Sequence, residues 1–210
     1  MVIRLGIAFL AVWASLPVRA QHPQATIDNG RVTAKIYLPQ EAAGYYRGTR
    51  FDWSGVIYSL QCGGHEYFGE WQKSDDPYLH DRITGPVESY SVGPHQKMGD
   101  AFLRIGVGVC DKAESTARHP FRVVDHGQWE VQKGGNWIAM QHVVKYGKTG
   151  YHYVKRLTLT PDRPELVIDH FLHNTGAVPI ETQVYNHNFF VIDQQPTGPD
   201  FVVGFPFELT

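Results

Sequence analysis

The chain has 210 residues and carries a formal net charge of −2 at pH 7. Its lysines and arginines are not gathered into a basic stripe or patch, which argues against nucleic acid as a partner. The 21 glycines, 13 prolines and frequent aromatic residues are typical of a β protein with many turns. At this length the chain forms about one domain.

The N-terminal segment, residues 1–20, has the pattern of a secretory signal peptide. A short start containing Arg4 precedes an apolar run over residues 5–16, and Val18 and Ala20 stand where a signal peptidase recognises small residues. We expect cleavage after Ala20 and a mature protein that is secreted or periplasmic; a retained N-terminal anchor helix is the alternative. No other segment is long and apolar enough for a membrane span, so residues 21–210 are assigned to the folded domain.

The two cysteines, Cys62 and Cys110, leave their redox state open. In an oxidising compartment they can form a disulfide, and they can equally be two separate buried thiols. Two cysteines are too few for a disulfide scaffold or a structural zinc site.

Strand patterns follow one another along the chain, and no stretch shows a long amphipathic helical period. They lie at residues 30–39, 54–64, 101–111, 121–147 (two or three short strands broken at Gly134-Gly135), 151–160, 165–174 and 181–193. The clearest pair is 151–160 with 165–174, because the Pro161-Asp-Arg-Pro164 sequence between them favours a turn. Antiparallel strands in this order predict an all-β sandwich or barrel.

The last of these patterns holds polar side chains within an aromatic run, Tyr185-Asn-His-Asn-Phe-Phe190. Strand alternation places Tyr185, His187 and Phe189 on one face and Asn186 on the other. Aromatic rings can stack on the apolar faces of sugars, His and Asn side chains bind hydroxyls, and a histidine can donate a proton near neutral pH. By spacing alone, His187 is either such an acid or a structural residue satisfied within the sheet.

The segment HNTGAVPIETQVYNHNFFVID, residues 173–193, resembles the galactose mutarotase (aldose 1-epimerase) superfamily. In that family, a strand following such a turn carries an Asn-His-x-(Tyr/Phe)-Phe motif, which corresponds to residues 186–190 here. The resemblance implies a large antiparallel β-sandwich, with His187 as the general acid that protonates the ring oxygen of the sugar. It also places Asn186 among the residues that bind substrate.

The resemblance extends upstream to GYYRGTRFDWSGVI, residues 44–57, where family members carry a substrate-binding arginine. Arg47 and Arg50 both compete for that role, and each can instead be a solvated surface charge. The sequence Asp52-Trp-Ser-Gly55 that follows departs from the ordinary family pattern. A second family histidine corresponds to His80, with His65 as its rival and a surface-loop histidine as the alternative for both.

The family's general base is a glutamate well C-terminal of the histidine strand, and Glu208 follows His187 too closely to match it. We therefore expect the base beyond residue 210 and regard residues 21–210 as a partial domain, an interpretation that the apolar ending at residues 199–210 favours. The resemblance implies no cofactor. Nor do the 11 histidines predict a metal site, because His65-Glu66 lacks the second histidine of a zinc motif and His170 and His173 fall on opposite strand faces.

The expected activity is interconversion of the α and β anomers of a monosaccharide or oligosaccharide by acid/base ring opening. The alternatives are a secreted carbohydrate-binding protein without catalysis, and a sandwich domain of a polysaccharide lyase or glycoside hydrolase. A shared fold does not choose between these activities, so the choice depends on the residues of the site.

Overall fold

The computed structural model describes residues 22–99, 101–112 and 121–208. The proposed signal peptide, residues 1–20, lies outside these ranges. Within them, no helix has both the length and the apolar character that crossing a membrane requires.

The described residues fold almost entirely as β-strands, which confirms the all-β prediction. The three helical turns among these residues are short 3-10 turns at His80–Arg82, Pro94–Gln96 and Ile192–Gln194. The strands are β1 (Gln24–Asp28), β2 (Val32–Tyr37), β3 (Val56–Cys62), β4 (His65–Glu66), β5 (Gly85–Tyr90), β6 (Lys97–Met98), β7 (Ala101–Arg104), β8 (Gly108–Asp111), β9 (Arg122–Asp125), β10 (Gln128–Lys133), β11 (Trp137–Tyr146), β12 (Thr149–Leu159), β13 (Leu166–Asn174) and β14 (Val184–Phe189).

The strands form antiparallel sheets in the orders β1-β2-β3-β4, β6-β7-β8-β9 and β10-β11-β12-β13, and β14 pairs with β5. Alternation of small and branched apolar residues along β2 buries one of its faces. That face packs against β11 and β12 in a core formed by Ile27, Val32, Ala34, Ile36, Ile57, Phe68, Ile138, Met140, Leu157 and Leu159. Two antiparallel sheets therefore pack face to face, as their period-two patterns require.

The hairpin of β12 and β13 forms as the sequence predicts. Leu157 pairs with Ile168 and Leu159 with Leu166, and the turn between the strands places Asp162 in the left-handed region at φ 58°. Aspartate tolerates this conformation better than most residues, which explains why the turn can close within four residues.

Residues 101–111 form a hairpin instead of the single strand that their pattern predicts. Strands β7 and β8 pair with each other across a turn containing Gly106, whose φ of +74° favours glycine. A side chain at this position would also collide with the carboxylate of Asp52. The glycines that weaken the strand pattern are thus the residues that make the turn.

The region 121–147 forms three strands, β9, β10 and β11, in agreement with the sequence. Strand β14 differs from a simple meander because it pairs with β5 rather than with the preceding β13. Residues 85–90 had not been predicted as a strand. This pairing is what places His187 beside the loop at residues 45–55.

The two cysteines remain separate thiols in the structure. Cys110 is fully buried on β8, and burial raises the pKa of its thiol to about 12. Cys62 is partly exposed at the end of β3.

Candidate functional site

His187 lies on an aromatic face of β14. Its ring stacks on Phe189 with centroids 3.9 Å apart and planes 7° apart, and it meets the edge of Phe51 at 5.9 Å. Phe51 also contacts Tyr185 and Phe189, so the three alternating residues of β14 share one face, as predicted. The His187 side chain is half-buried, and it therefore remains open to a ligand.

Arg50 reaches the same face from the loop that precedes β3. Its guanidinium lies 4.8 Å over the Phe51 ring, and its Nε donates a hydrogen bond to the Tyr185 hydroxyl at 3.3 Å. Its Nη1 forms an ion pair with Asp81 Oδ1 at 2.6 Å. We call Arg50, Phe51, Asp81, Tyr185 and His187 the His187 surface.

The contacts of the His187 surface change the pKa of the Tyr185 hydroxyl. Burial raises its pKa, but the hydrogen bond and charge of Arg50, with a bond from Ser89, lower the pKa of Tyr185 overall. Arg50 thus favours negative charge at the hydroxyl two residues before His187 in the strand. Arg50 would likewise stabilise an oxyanion or a hydroxyl oxygen of a ligand bound here.

Asn186 lies on the opposite face of β14 from His187. It is exposed, and its backbone partner in β5 is Glu88, whereas His187 is opposite Val87. The structure therefore separates the two predicted residues of the Asn-His motif by the thickness of one strand.

Arg47 and His80 come together at a different place, lining a cavity of about 330 Å³. The Arg47 guanidinium lies 4.7 Å over the ring of Tyr78, and its Nη1 donates hydrogen bonds to two main-chain carbonyls, those of Glu41 and Ala42. Thr49 and His80, which line this cavity, adjoin Arg50 and Asp81 in the sequence. Two short segments thus supply both the cavity and the His187 surface.

His65, the rival of His80, is exposed at β4. Its Nδ1 lies 2.8 Å from Oδ2 of Asp193, and the main-chain N–H of Glu66 donates to the other oxygen of that carboxylate. These contacts tie His65 to the segment after β14, away from the residues that line the cavity with His80.

A buried network of ionisable residues lies on the other side of β5. Lys155 of β12 is fully buried, and its Nζ donates to Glu88 Oε2 and, at 3.1 Å, to the carbonyl of Ser54. Asp52 Oδ2 lies 3.9 Å from the same Nζ. One lysine is therefore shared by two buried carboxylates.

Hydroxyl groups complete the contacts of Asp52. Ser54 Oγ and the Tyr153 hydroxyl donate to its Oδ2 at 2.6 Å and 2.8 Å. Tyr153 also contacts Nδ1 of His170 at 2.9 Å, and Nε2 of His170 lies 3.4 Å from Glu88 Oε1. His170 is exposed, so it connects the buried network with solvent.

The pKa values of the two carboxylates in this network are shifted in opposite directions. Burial raises the pKa of Glu88, but Lys155 and His170 together lower it to about 2. Burial raises the pKa of Asp52, and the nearby Lys155 compensates only in part. Glu88 is thus the residue that holds the negative charge opposite Lys155.

Sequence reasoning missed this network, although one signal was present. The buried face of β12 continues from Leu159 and Leu157 to Lys155 and Tyr153. A lysine in the middle of an apolar face predicts a buried ion pair, because such a charge is retained only with a partner. Asp52 also begins the tetrapeptide that departs from the family pattern.

We predict that His142 makes the free energy of unfolding fall as the pH falls from 6.5 to 4. Burial lowers the pKa of His142 to about 4 from its ordinary 6.5. Since the unfolded chain binds a proton more readily in this window, acid stabilises the unfolded state. Urea unfolding at pH 7, 5.5 and 4 measures the effect.

Asp52 opposes His142 within this window. Its raised pKa lets the folded protein bind a proton at pH values where the unfolded chain does not, so acid stabilises the folded state through Asp52. Below pH 4.5 the lowered pKa of Glu88 adds a loss of stability that continues towards pH 2. His142→Gln isolates the histidine: the same pH dependence of the free energy of unfolding in the wild type and in this variant would contradict the neutral, buried state of His142.

Compared with protein-family models, curated proteins and solved structures, the chain matches none. The likeness to aldose 1-epimerases accordingly depends on two sequence segments, residues 173–193 around His187 and residues 44–57. No matching protein assigns a function to the His187 surface, so its function is inferred from the chemistry of its residues.

Proposed function

We propose that this protein is a carbohydrate-active isomerase that interconverts sugar anomers, with His187 as the general acid. The observation that supports this best is the His187 surface, where a half-open histidine ring, aromatic rings and a guanidinium share one face. Aromatic rings suit the apolar face of a pyranose, and the guanidinium suits its hydroxyl oxygens.

We also propose that the packed sheets belong to the galactose mutarotase type of β-sandwich. The face-to-face packing of β1–β3 on β11 and β12 supports a sandwich. Strand β14 and the turn that precedes it carry the sequence motif on which the resemblance depends. The proposed mature protein begins at Gln21 and acts outside the cytoplasm.

The proposed chemistry is a pair of proton transfers. A carboxylate takes the proton of the C1 hydroxyl while His187 donates one to the ring oxygen, so that the ring opens and can close on its other face. The resemblance assigns the base to a later glutamate, and Asp81 is left to position Arg50 through their ion pair. No cofactor or metal takes part in this proposal.

A second candidate is a carbohydrate-binding protein that uses the same surface without catalysis. One observation favours it: within the described part of the chain, His187 has neither a hydrogen bond nor an ion pair to a carboxylate. Without a base nearby, the surface can hold a sugar but cannot complete the second proton transfer.

Polarimetry distinguishes these two functions. The optical rotation of freshly dissolved α-galactose and α-glucose is followed with and without the purified protein, and sugar binding is measured separately by calorimetry. Faster approach to anomeric equilibrium supports the isomerase. Binding without acceleration supports the binding protein, and the absence of both for every sugar tested would overturn the proposal.

A further inference from the structure

A second arginine approaches the His187 surface from β7. Arg104 ends this strand, and Phe102, two residues earlier, is buried in a cluster with Tyr46 and Phe51. Because residues two apart in a strand share a face, Arg104 projects to the same side as that cluster. Arg50 lies over the ring of Phe51 on this side.

The Arg104 guanidinium lacks a protein partner among the residues that the structure describes. Its Nε is buried without an acceptor there, and its side chain makes no hydrogen bond or ion pair with a described residue. Arg50 and Arg122, by contrast, are held by Asp81 and Asp111. The buried Nε is closed to a ligand, but the two terminal nitrogens are not buried in this way and have no described acceptor. These nitrogens can therefore donate to a ligand.

Arg50 and Arg104 are close enough for their charges to affect each other and Tyr185. Burial lowers the pKa of Arg104, and the like charge of Arg50 acts in the same direction. Both arginines help to lower the pKa of Tyr185, the residue next to His187 on this face. Since Asp81 balances only one of the two positive charges, one remains for a monoanion.

We propose that the His187 surface binds an acidic sugar, a uronate whose carboxylate pairs with Arg104 while the sugar ring lies against the aromatic face. The two terminal nitrogens of a planar guanidinium match the two oxygens of a carboxylate. One uncompensated positive charge corresponds to the single charge of a uronate. This inference rests on the proposed function, because it names the substrate class of the same surface.

Galacturonate and galactose provide a matched pair of probes, because they differ only in a carboxylate in place of the C6 hydroxymethyl group. Calorimetry at low salt gives the affinity of the protein for each. We expect galacturonate to bind about tenfold or more tightly than galactose, as a charge-assisted pair would require. Replacing Arg104 by glutamine should remove most of that preference.

Two further variants make the comparison specific. Arg31→Gln removes one positive charge at the exposed turn before β2 and should leave the ratio of the two affinities unchanged. Arg104→Lys keeps the charge but loses the planar fork, so the ratio should fall several-fold. If Arg104→Gln does not fold, an unchanged ratio in Arg104→Lys still counts against the proposal.

Equal affinities for the two sugars in the wild-type protein would overturn the inference, even where galactose is rapidly mutarotated and the isomerase stands. A preference that survives in Arg104→Gln would overturn it as well. Tight, Arg104-dependent binding of galacturonate without acceleration of any mutarotation would confirm the acidic ligand and reject the isomerase. If neither galactose nor galacturonate binds, both the acidic-sugar inference and the proposed isomerase are rejected.

Discussion

His187→Ala should lower the rate at which the protein accelerates mutarotation by about 10²- to 10⁴-fold, the usual contribution of a general acid. In the proposed mechanism the imidazole donates the proton, and it lies on the aromatic face of β14 where the sugar is proposed to bind. Without it the ring oxygen must take its proton from water. Initial rates by polarimetry, measured under saturating sugar, give the change directly.

Asn188→Ala is the matched control for this variant. Asn188 is the next residue of β14, is exposed, and lies on the face opposite His187. It should keep the wild-type rate, which separates loss of the acid from damage to the strand. A His187→Ala protein that is folded and retains the wild-type rate would remove His187 from the mechanism.

Lys155→Met should lower the free energy of unfolding by about 3–5 kcal/mol at pH 7. The substitution keeps much of the side-chain volume but leaves Glu88 charged and buried without its cation. Removing one member of a buried ion pair is costly for this reason. Urea unfolding followed by circular dichroism measures the loss.

Lys145→Met supplies the comparison on the neighbouring strand β11. Lys145 is exposed, and its replacement should change the free energy of unfolding by no more than about 0.5 kcal/mol. Adding Glu88→Gln to Lys155→Met should recover part of the loss, since the uncompensated charge is then gone. A cost below about 1 kcal/mol for Lys155→Met would show that the network contributes little to stability.

Local patterns predicted the parts of the fold that form between neighbours in the chain. The hairpin of β12 and β13 was foreseen because its alternation and its Pro-Asp-Arg-Pro turn lie within one short segment. The hairpin of β7 and β8 was mistaken for one strand because Gly106 was read as a weakness rather than as a turn. Strand β5 was missed since Glu88 and Ser89, both buried, break the expected alternation.

Contacts between distant segments account for what the sequence did not reveal about the site. The motif and its resemblance singled out His187 and Arg50, and the structure brings both to Phe51. The structure places Arg47 and His80 in a separate cavity. Arg47 is only three residues from Arg50, so their spacing in the sequence could not show that they lie at different places. Charged residues are normally read as exposed, which is why Lys155 and Glu88 were not recognised as partners.

The pairing of β14 with β5 also bears on how the protein folds. The two strands are far apart in the chain, whereas β11, β12 and β13 pair with their immediate neighbours. Loop closure over such a distance makes this contact slow, so the face that carries His187 should be assembled after the hairpins. Until then β5 presents an unpaired edge, and this is the point at which a newly synthesised chain is most open to association with another copy.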